Sequence, residues 1–127
     1  MIADSSFLIS FFTPEDVNHR RALDEAIKDP ANVFVVPDRV LEETVTTMTY
    51  KRGVGCALDL MNKLQKNRQF IIRPTREEEV KATFERIQQV QRKLSFIDYL
   101  VVEISLGLQT PLISFDRQLK ALHRRLR

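Results

Sequence analysis

The sequence predicts an α/β fold in which a short, mainly parallel sheet is flanked by helices. Short apolar segments alternate with longer segments of helical periodicity along most of the chain. The segments V-F-V-V-P and Q-F-I-I-R-P are apolar almost throughout, which is typical of strands buried on both faces. Because strands that alternate with helices are joined by right-handed crossovers, the sheet is expected to be parallel.

Each predicted strand leads into a helix. The four pairs are Met1–Asp4 with Ser5–Phe12, Val33–Val36 with Asp38–Tyr50, Phe70–Arg73 with Arg76–Arg92, and Leu112–Ser114 with Arg117–Arg125. Two further helices are predicted over Pro14–Lys28 and Val54–Lys66, and another begins near Ser95. The phenylalanines of the first helix, Phe7, Phe11 and Phe12, are expected to be buried in the core or at a dimer interface.

The composition indicates one globular domain over residues 1–127, with 43% hydrophobic residues and few glycines and prolines. No apolar run approaches the roughly 18–20 residues that span a bilayer, so no membrane association is predicted. The single cysteine, Cys56, has no partner for an internal disulfide, which fits a reducing compartment and predicts a cytoplasmic protein. We expect Cys56 to serve packing rather than chemistry.

The formal charge of +3 and the pI near 9.2 leave a basic surface if several acids are gathered in one site. Basic residues cluster in N-H-R-R (18–21), K-R (51–52), K-L-Q-K-N-R (63–68) and L-H-R-R-L-R (122–127). Such clusters suit contact with a polyanion, although solvated helix faces have the same composition. Neither a G-x-G-x-x-G segment nor a P-loop is present, which argues against a nucleotide-binding enzyme.

Four acids lie where predicted strands end or in the helices nearby. Asp4 closes the first strand, Asp116 follows L-I-S-F, and Glu43 lies in the first turns of the helix after V-V-P. Asp98 lies at the start of a helix that no strand immediately precedes. Open α/β sheets bind ligands at the carboxyl ends of their strands, and magnesium and manganese prefer carboxylate oxygens. The joint placement therefore predicts a metal site.

Each acid taken alone also has an ordinary structural explanation. Asp4 and Asp116 stand where a helix N-cap is expected, and Ser95-Phe96-Ile97-Asp98 matches a capping box. Helical periodicity places Glu42 and Glu43 equally far from the apolar face of their helix, so it does not choose between them. Both glutamates could simply be solvated.

Four segments carry these acids in order: M-I-A-D-S-S-F-L-I, V-P-D-R-V-L-E-E-T-V, L-S-F-I-D-Y-L-V-V-E-I and L-I-S-F-D-R-Q-L. They resemble the four acidic motifs of the PIN-domain ribonucleases and, within them, those of the VapC-like toxins of toxin–antitoxin pairs. The resemblance places Asp4, Asp98 and Asp116 on the family aspartates. It selects Glu43 over Glu42 as the family glutamate.

The resemblance implies a PIN-like three-layer fold and a Mg²⁺-dependent endoribonuclease, with Mn²⁺ as a substitute. Asp4, Asp98 and Asp116 would coordinate metal, and Glu43 would ligate a second ion or orient the attacking water. RNA would be the substrate, a cognate antitoxin the regulatory partner, and the chain a homodimer. The alternative is a catalytically inactive PIN-like domain that binds RNA or acts as a scaffold.

Two serines are expected to orient the carboxylates. Ser6 and Ser114 would do so by hydrogen bonding, although the two hydroxyl groups could equally well serve to stabilise a turn or a helix cap. The sequence departs from many relatives, which carry asparagine at the position of Ser6, and from some that carry an additional acid near Gln118. It also ends in a basic helix instead of a short apolar strand, so a fifth strand is either absent or supplied differently.

Overall fold

The computed structural model describes all of residues 1–127 and contains four strands and seven helices. The strands are β1 (Ile2–Ala3), β2 (Phe34–Pro37), β3 (Phe70–Arg73) and β4 (Leu112–Ile113). The helices are α1 (Ser5–Phe12), α2 (His19–Lys28), α3 (Asp38–Arg52), α4 (Val54–Lys66), α5 (Glu77–Val90), α6 (Phe96–Leu108) and α7 (Arg117–Leu126). The chain thus has no fifth strand.

The four strands form one parallel sheet in the order β3-β2-β1-β4, which confirms the predicted fold class. Ile2 of β1 is in register with Val35 of β2 on one side and with Leu112 of β4 on the other. Strands β2 and β3 therefore lie on one side of β1, and β4 lies on the other. A crevice beyond the carboxyl ends of the strands is expected at such a reversal of strand order.

An aromatic group lies at the centre of the main core. Phe7 of α1 is fully buried, and its ring centroid lies 5.0 Å from that of Phe34 and 6.1 Å from that of Phe115. Phe11 and Phe12 are partly buried against the same core, which confirms that this face of α1 points inward. These contacts fix α1 against the sheet and therefore fix the segment that precedes it.

The helices fall into two groups by their contacts. Helix α1 contacts α2, α3 and α4, and α3 contacts α4, whereas α6 contacts α5 and α7. Helix α6 also lies against β1, β4 and α3. A second, smaller apolar cluster joins α6 to α7 and consists of Tyr99, Val102, Leu119 and Leu122. None of the helices combines the length and the hydropathy that crossing a bilayer requires.

Helix α2 begins later than the sequence predicts, at His19 instead of Pro14. The carboxylate of Asp16 accepts hydrogen bonds from the Ser10 hydroxyl and from the Asn18 backbone N–H, both at 2.9 Å. An aspartate that bonds to a backbone N–H two residues ahead stabilises a turn in competition with helix. Residues 14–18 are therefore a turn.

Two predictions of burial are wrong. Ile71 and Ile72 of β3 are 52% and 39% exposed, because β3 is an edge strand and is not enclosed on both faces. Cys56 is exposed and does not serve packing. Helix α4 turns Ala57, Leu60 and Leu64 inward, and this stripe leaves its neighbour Cys56 outside.

Candidate active site

Asp4 lies at the junction between β1 and α1 and is only 5% exposed. It is the N-cap of α1, because its Oδ1 accepts a hydrogen bond of 3.1 Å from the Phe7 backbone N–H. The cap fixes the direction of the carboxylate at the carboxyl end of the central strand. Asp4 is therefore both a helix cap, as the sequence allows, and a member of the candidate site.

Two serine hydroxyls hold the same carboxylate. Ser6 donates to Oδ1 of Asp4 at 2.8 Å, and Ser114 donates to Oδ2 at 2.6 Å. Each serine also accepts a backbone N–H from the segment after β4: Ser6 from Phe115 and Ser114 from Asp116, both at 2.9 Å. The expected hydrogen bonds to the carboxylate are present, and they join the end of β1 to the end of β4.

The other two aspartates also cap helices. Oδ1 of Asp116 accepts the backbone N–H groups of Gln118 and Leu119 at the start of α7, at 2.9 and 3.1 Å. Asp98 forms the predicted capping box with Ser95: its N–H donates to the serine hydroxyl at 3.1 Å, and its carboxylate accepts the Ser95 N–H at 3.4 Å. Three helix N-termini thus each present an aspartate, with fixed orientation, near one edge of the sheet.

The structure separates Glu43 from Glu42. Glu42 is exposed, whereas Glu43 is partly buried and lies close enough to Asp98, Asp4 and Asp116 for their charges to act on it. Helix α3 buries Val40, Thr44 and Met48, and Glu43 borders this stripe on the side of the three aspartates. The glutamate that the resemblance selects is therefore the one that joins the four-acid group, which we call the acidic cluster: Asp4, Glu43, Asp98 and Asp116.

Burial and mutual repulsion raise carboxyl pKa values within the acidic cluster. Burial is the main cause of the raised pKa of Asp4, the hydrogen bonds from Ser114, Phe7 and Ser6 oppose it, and the charge of Asp116 adds to it. The pKa of Glu43 is raised by burial and then by the charge of Asp98, with partial opposition from the nearby Ser5 hydroxyl. Burial also raises the pKa of Asp98, against the hydrogen bonds from Ser95.

The donor set of the acidic cluster fits Mg²⁺ or Mn²⁺, since all four side chains are oxygen ligands and no histidine or thiol belongs to the group. A cation would also compensate the like charges that raise these pKa values. In this conformation, however, no three acidic, histidine or cysteine side chains converge tightly enough to surround one ion. Direct coordination by three of the carboxylates thus requires a closer approach than the present one.

The basic segments recognised in the sequence lie in different places. The guanidinium carbon of Arg21, in N-H-R-R, lies 4.8 Å from the centroid of the Phe115 ring. Phe115 is flanked in sequence by Ser114 and Asp116. Segment 51–52 ends α3, where Arg52 pairs with Glu15 at 3.8 Å, and segment 63–68 ends α4 and leads into β3. The last segment closes α7, where His123 hydrogen-bonds the hydroxyl of Ser105 at 2.9 Å.

Lys63, Lys66 and Arg68 line a cavity of about 620 Å³ together with Phe11, Phe12, Pro14, His19 and Asn67. Because α1 runs away from Asp4 and α4 leads into the beginning of β3, this cavity is remote from the acidic cluster. His19 is fixed there by a hydrogen bond of 2.8 Å between its Nδ1 and the Ser10 carbonyl oxygen. Neither histidine belongs to the acidic cluster.

A second basic cavity, of about 420 Å³, is lined by residues that lie near Asp98 and Asp116 in sequence, and no motif in the sequence predicts it. We call it the basic cavity; its lining residues are Arg92, Lys93, Leu94, Arg117, Gln118 and Ala121. Its walls are the turn before α6 and the first turns of α7, the segments that flank Asp98 and Asp116. Only the adjacent pair R-K at 92–93 was visible as a charge cluster in the sequence.

Comparison with known proteins is consistent with this geometry. A family model described as the PIN domain matches residues 1–124. A search of curated proteins finds no significant match. The chain is similar to the crystal structure of VapC20 from Mycobacterium tuberculosis, which is described as a toxin that cleaves the sarcin–ricin loop. The two share 18% sequence identity over 95% of this chain and 93% of VapC20, with a TM-score of 0.82, which establishes the shared fold.

Proposed function

The chain belongs to the PIN-domain family, and we propose that it is a metal-dependent endoribonuclease and the toxin of a toxin–antitoxin pair. The observation that carries the proposal is that Asp4, Glu43, Asp98 and Asp116, which belong to four different helices or their caps, lie near enough at the carboxyl edge of the sheet for their charges to act on one another. Carboxylates that repel one another destabilise the folded state, so their grouping at this edge indicates a functional site.

Asp4, Asp98 and Asp116 would hold Mg²⁺, with Mn²⁺ as a substitute. A divalent ion held there would supply Lewis-acid activation of water and stabilise the charge that develops at the phosphodiester. Ser6 and Ser114 keep both oxygens of Asp4 oriented, so that ligand is set before substrate arrives. The positive ends of the three helices favour the negative charge of these aspartates.

Glu43 has a different role from the aspartates in this proposal. It lies on the side of α3, caps no helix, and its pKa is raised mainly by burial and then by the neighbouring acids. A carboxylate that is not engaged in a helix cap can accept a proton from an attacking water. Glu43 would therefore orient the water and take its proton, or ligate a second ion.

The substrate and the partners follow from the family and from the structural neighbour. VapC20 is described as cleaving the sarcin–ricin loop, so a stem-loop of that sequence is the first RNA to test beside an unstructured RNA. We further propose a cognate antitoxin, a homodimer and a cytoplasmic location, where RNA is available. A small open reading frame beside the gene and the mass of the purified protein in solution are the observations that bear on the first two.

The deciding experiment measures RNA cleavage with Mn²⁺, with Mg²⁺ and with chelator. The native chain, Asp4→Asn and Asp98→Asn are compared with Asp59→Asn, which removes an exposed carboxylate on α4 that belongs to no site. We expect cleavage by the native chain and Asp59→Asn in either metal, and none in chelator or with the other two variants. Cleavage that persists in chelator or in Asp4→Asn would contradict the mechanism. RNA binding without cleavage or metal binding would identify the alternative, a non-catalytic RNA-binding domain.

A further inference from the structure

The basic cavity is built directly onto the segments that carry two of the acids. Arg117 follows Asp116 in sequence, and Leu94 precedes Ser95, the capping partner of Asp98. A ligand in the cavity would therefore lie beside the acidic cluster and could extend into it. With a volume of about 420 Å³, the cavity is within the usual range for small-ligand sites.

The charge of the basic cavity is uncompensated. Its lining has three cationic side chains and no carboxylate. None of Arg92, Lys93 and Arg117 forms an ion pair, whereas Lys63 is paired with Asp59 and Arg86 with Glu103. Gln118 adds a neutral amide. Cations without protein partners, gathered in one concavity, favour an anionic ligand.

The backbone that carries these cations is held firmly. The hydroxyl of the fully buried Tyr99 donates to the Arg92 carbonyl oxygen at 2.7 Å, and the Leu94 N–H donates to the same oxygen at 2.9 Å. Leu94 packs against the cluster of Tyr99, Val102, Leu119 and Leu122. The same buried residues thus position the turn at 92–94 and the start of α7. The cavity and the two aspartates are therefore positioned by the same packed residues.

We propose that the basic cavity binds a backbone phosphate of the RNA strand next to the bond that is cleaved, an inference that rests on the proposed ribonuclease function. The lining favours a phosphate over a base, because it offers three cations and no aromatic ring on which a base could stack. The Gln118 amide can hydrogen-bond a ribose hydroxyl. The phosphate contact would also offset the repulsion between the acidic cluster and a polyanion, and fix the direction in which the strand leaves the site.

The test compares two adjacent Arg/Lys pairs that are both exposed; the control pair differs in having one ion pair, between Arg52 and Glu15 at 3.8 Å. Arg92→Gln with Lys93→Gln alters the cavity, and Lys51→Gln with Arg52→Gln is the matched control at the far end of α3. That helix spans 15 residues, so the control lies about 22 Å along it from the end of β2. Arg117→Gln tests the third cation. All four substituted residues of the two pairs are exposed, and thermal unfolding checks that each variant folds.

Binding of a fluorescent single-stranded RNA is measured in chelator, where no cleavage is expected, across a range of salt concentrations. We expect the double variant Arg92→Gln with Lys93→Gln, the cavity pair, to raise Kd about tenfold. It should also lower the slope of log Kd against log salt by about 0.7 for each lost phosphate contact. The increase in Kd should be smaller for Arg117→Gln. The control pair should stay within about twofold of the native chain. In Mn²⁺, the cavity pair should raise KM with kcat little changed.

The outcomes separate this inference from the function on which it rests. If the native chain cleaves RNA and the two pairs behave alike, the phosphate site is wrong and the ribonuclease stands. If the cavity pair alone weakens binding but no metal supports cleavage, the phosphate site stands and the ribonuclease does not. A native chain that binds no RNA overturns both.

Discussion

Ser114 and Asp4, which are 110 residues apart in sequence, are joined by a hydrogen bond of 2.6 Å from the serine hydroxyl to Oδ2 of the aspartate. The same hydroxyl accepts the backbone N–H of Asp116 at 2.9 Å. One serine therefore sets the position of one carboxylate and of the segment that bears another. This link gives the first of four predictions.

Ser114→Ala is expected to lower RNA cleavage about 10- to 100-fold, the range typical when a partner that orients a metal ligand is lost. It should also lower the free energy of unfolding by about 1–2 kcal/mol, because Asp4 loses a buried donor. The control is Ser10→Ala, which removes another buried serine whose hydroxyl donates to an aspartate, Asp16, outside the acidic cluster. Equal losses of activity in the two variants would show that only stability matters.

Glu43→Gln is expected to stabilise the metal-free protein at neutral pH. Burial, and then the charge of Asp98, raises the pKa of Glu43. The folded state therefore holds the proton more tightly than the unfolded state, and stability is lost as pH rises from the ordinary value of 4.5 through the folded-state pKa. After allowance for solvent screening, we expect Glu43→Gln to raise the free energy of unfolding by about 0.5 kcal/mol and Tm by about 2 °C.

The measurement is thermal unfolding in chelator at several pH values. The gain from Glu43→Gln should shrink as pH falls through the raised folded-state pKa toward 4.5, and it should be absent below 4.5, where the carboxyl group is protonated in both states. Glu42→Gln is the matched control, because Glu42 is adjacent to Glu43 in sequence but is exposed and does not belong to the acidic cluster. A gain that is the same for both variants, or independent of pH, would contradict the placement of Glu43.

Divalent metal is expected to stabilise the folded chain. A metal concentration of about 100 times Kd should raise the free energy of unfolding by about 2.7 kcal/mol, which corresponds to a rise of roughly 10 °C in Tm. Asp116→Asn should lose most of this gain, whereas Asp59→Asn should keep it. Because the pKa values of Asp4 and Asp98 are raised mainly by burial, protons compete with the metal, and the gain should decline as pH falls toward those values. An unchanged Tm at millimolar Mn²⁺ would exclude the metal site.

His123 is expected to make the protein less stable in mild acid. Ser105 donates its only hydroxyl hydrogen to the Thr110 carbonyl oxygen, so Nε2 of neutral His123 carries a hydrogen and donates to the serine oxygen. Burial, and then the charge of Arg127, lowers the pKa of His123. Stability is therefore full above the ordinary value of 6.5 and is lost as pH falls through it toward the folded-state pKa.

Nuclear magnetic resonance should report a pKa for His123 below 6.5, and Arg127→Gln should move it upward. His123→Gln should flatten the decline in Tm between neutral pH and mild acid by a few degrees at most, since the ring is partly exposed. A pKa at or above the ordinary value would contradict the structure. RNA cleavage at neutral pH should be unchanged in His123→Gln, which keeps this prediction apart from the others.

The sequence was sufficient to predict the parallel sheet and the helix starts at which Asp4, Asp98 and Asp116 lie, because apolar strand segments and helix caps are local signals. Asp4, Asp98 and Asp116 were ambiguous between cap and site for a physical reason: they are caps, and the capped helix ends meet at one edge of the sheet. That meeting depends on β4 pairing with β1, which no local pattern encodes. Glu43 was chosen by resemblance, because it lies at the border of a buried stripe where periodicity is uninformative.

The basic cavity could not be predicted from charge runs. Arg92 and Lys93 are far from Arg117 in sequence, and only the contacts of Leu94 and α7 with the same apolar cluster bring them together. Conversely, segments 51–52 and 63–68 were conspicuous in the sequence but lie away from the acidic cluster. The exposed Ile71 and Ile72 show the same limit, since an apolar segment does not reveal whether its strand is central or at an edge.

The pairing of the first strand with the last also has a consequence for synthesis. A ribosome-bound chain that has not yet emerged beyond β4 possesses Asp4, Glu43 and Asp98, but it has neither Asp116 nor the hydroxyl that fixes Oδ2 of Asp4. The four acids can therefore come together only after β4 has paired with β1. Any activity that depends on all four begins late in the synthesis of the chain.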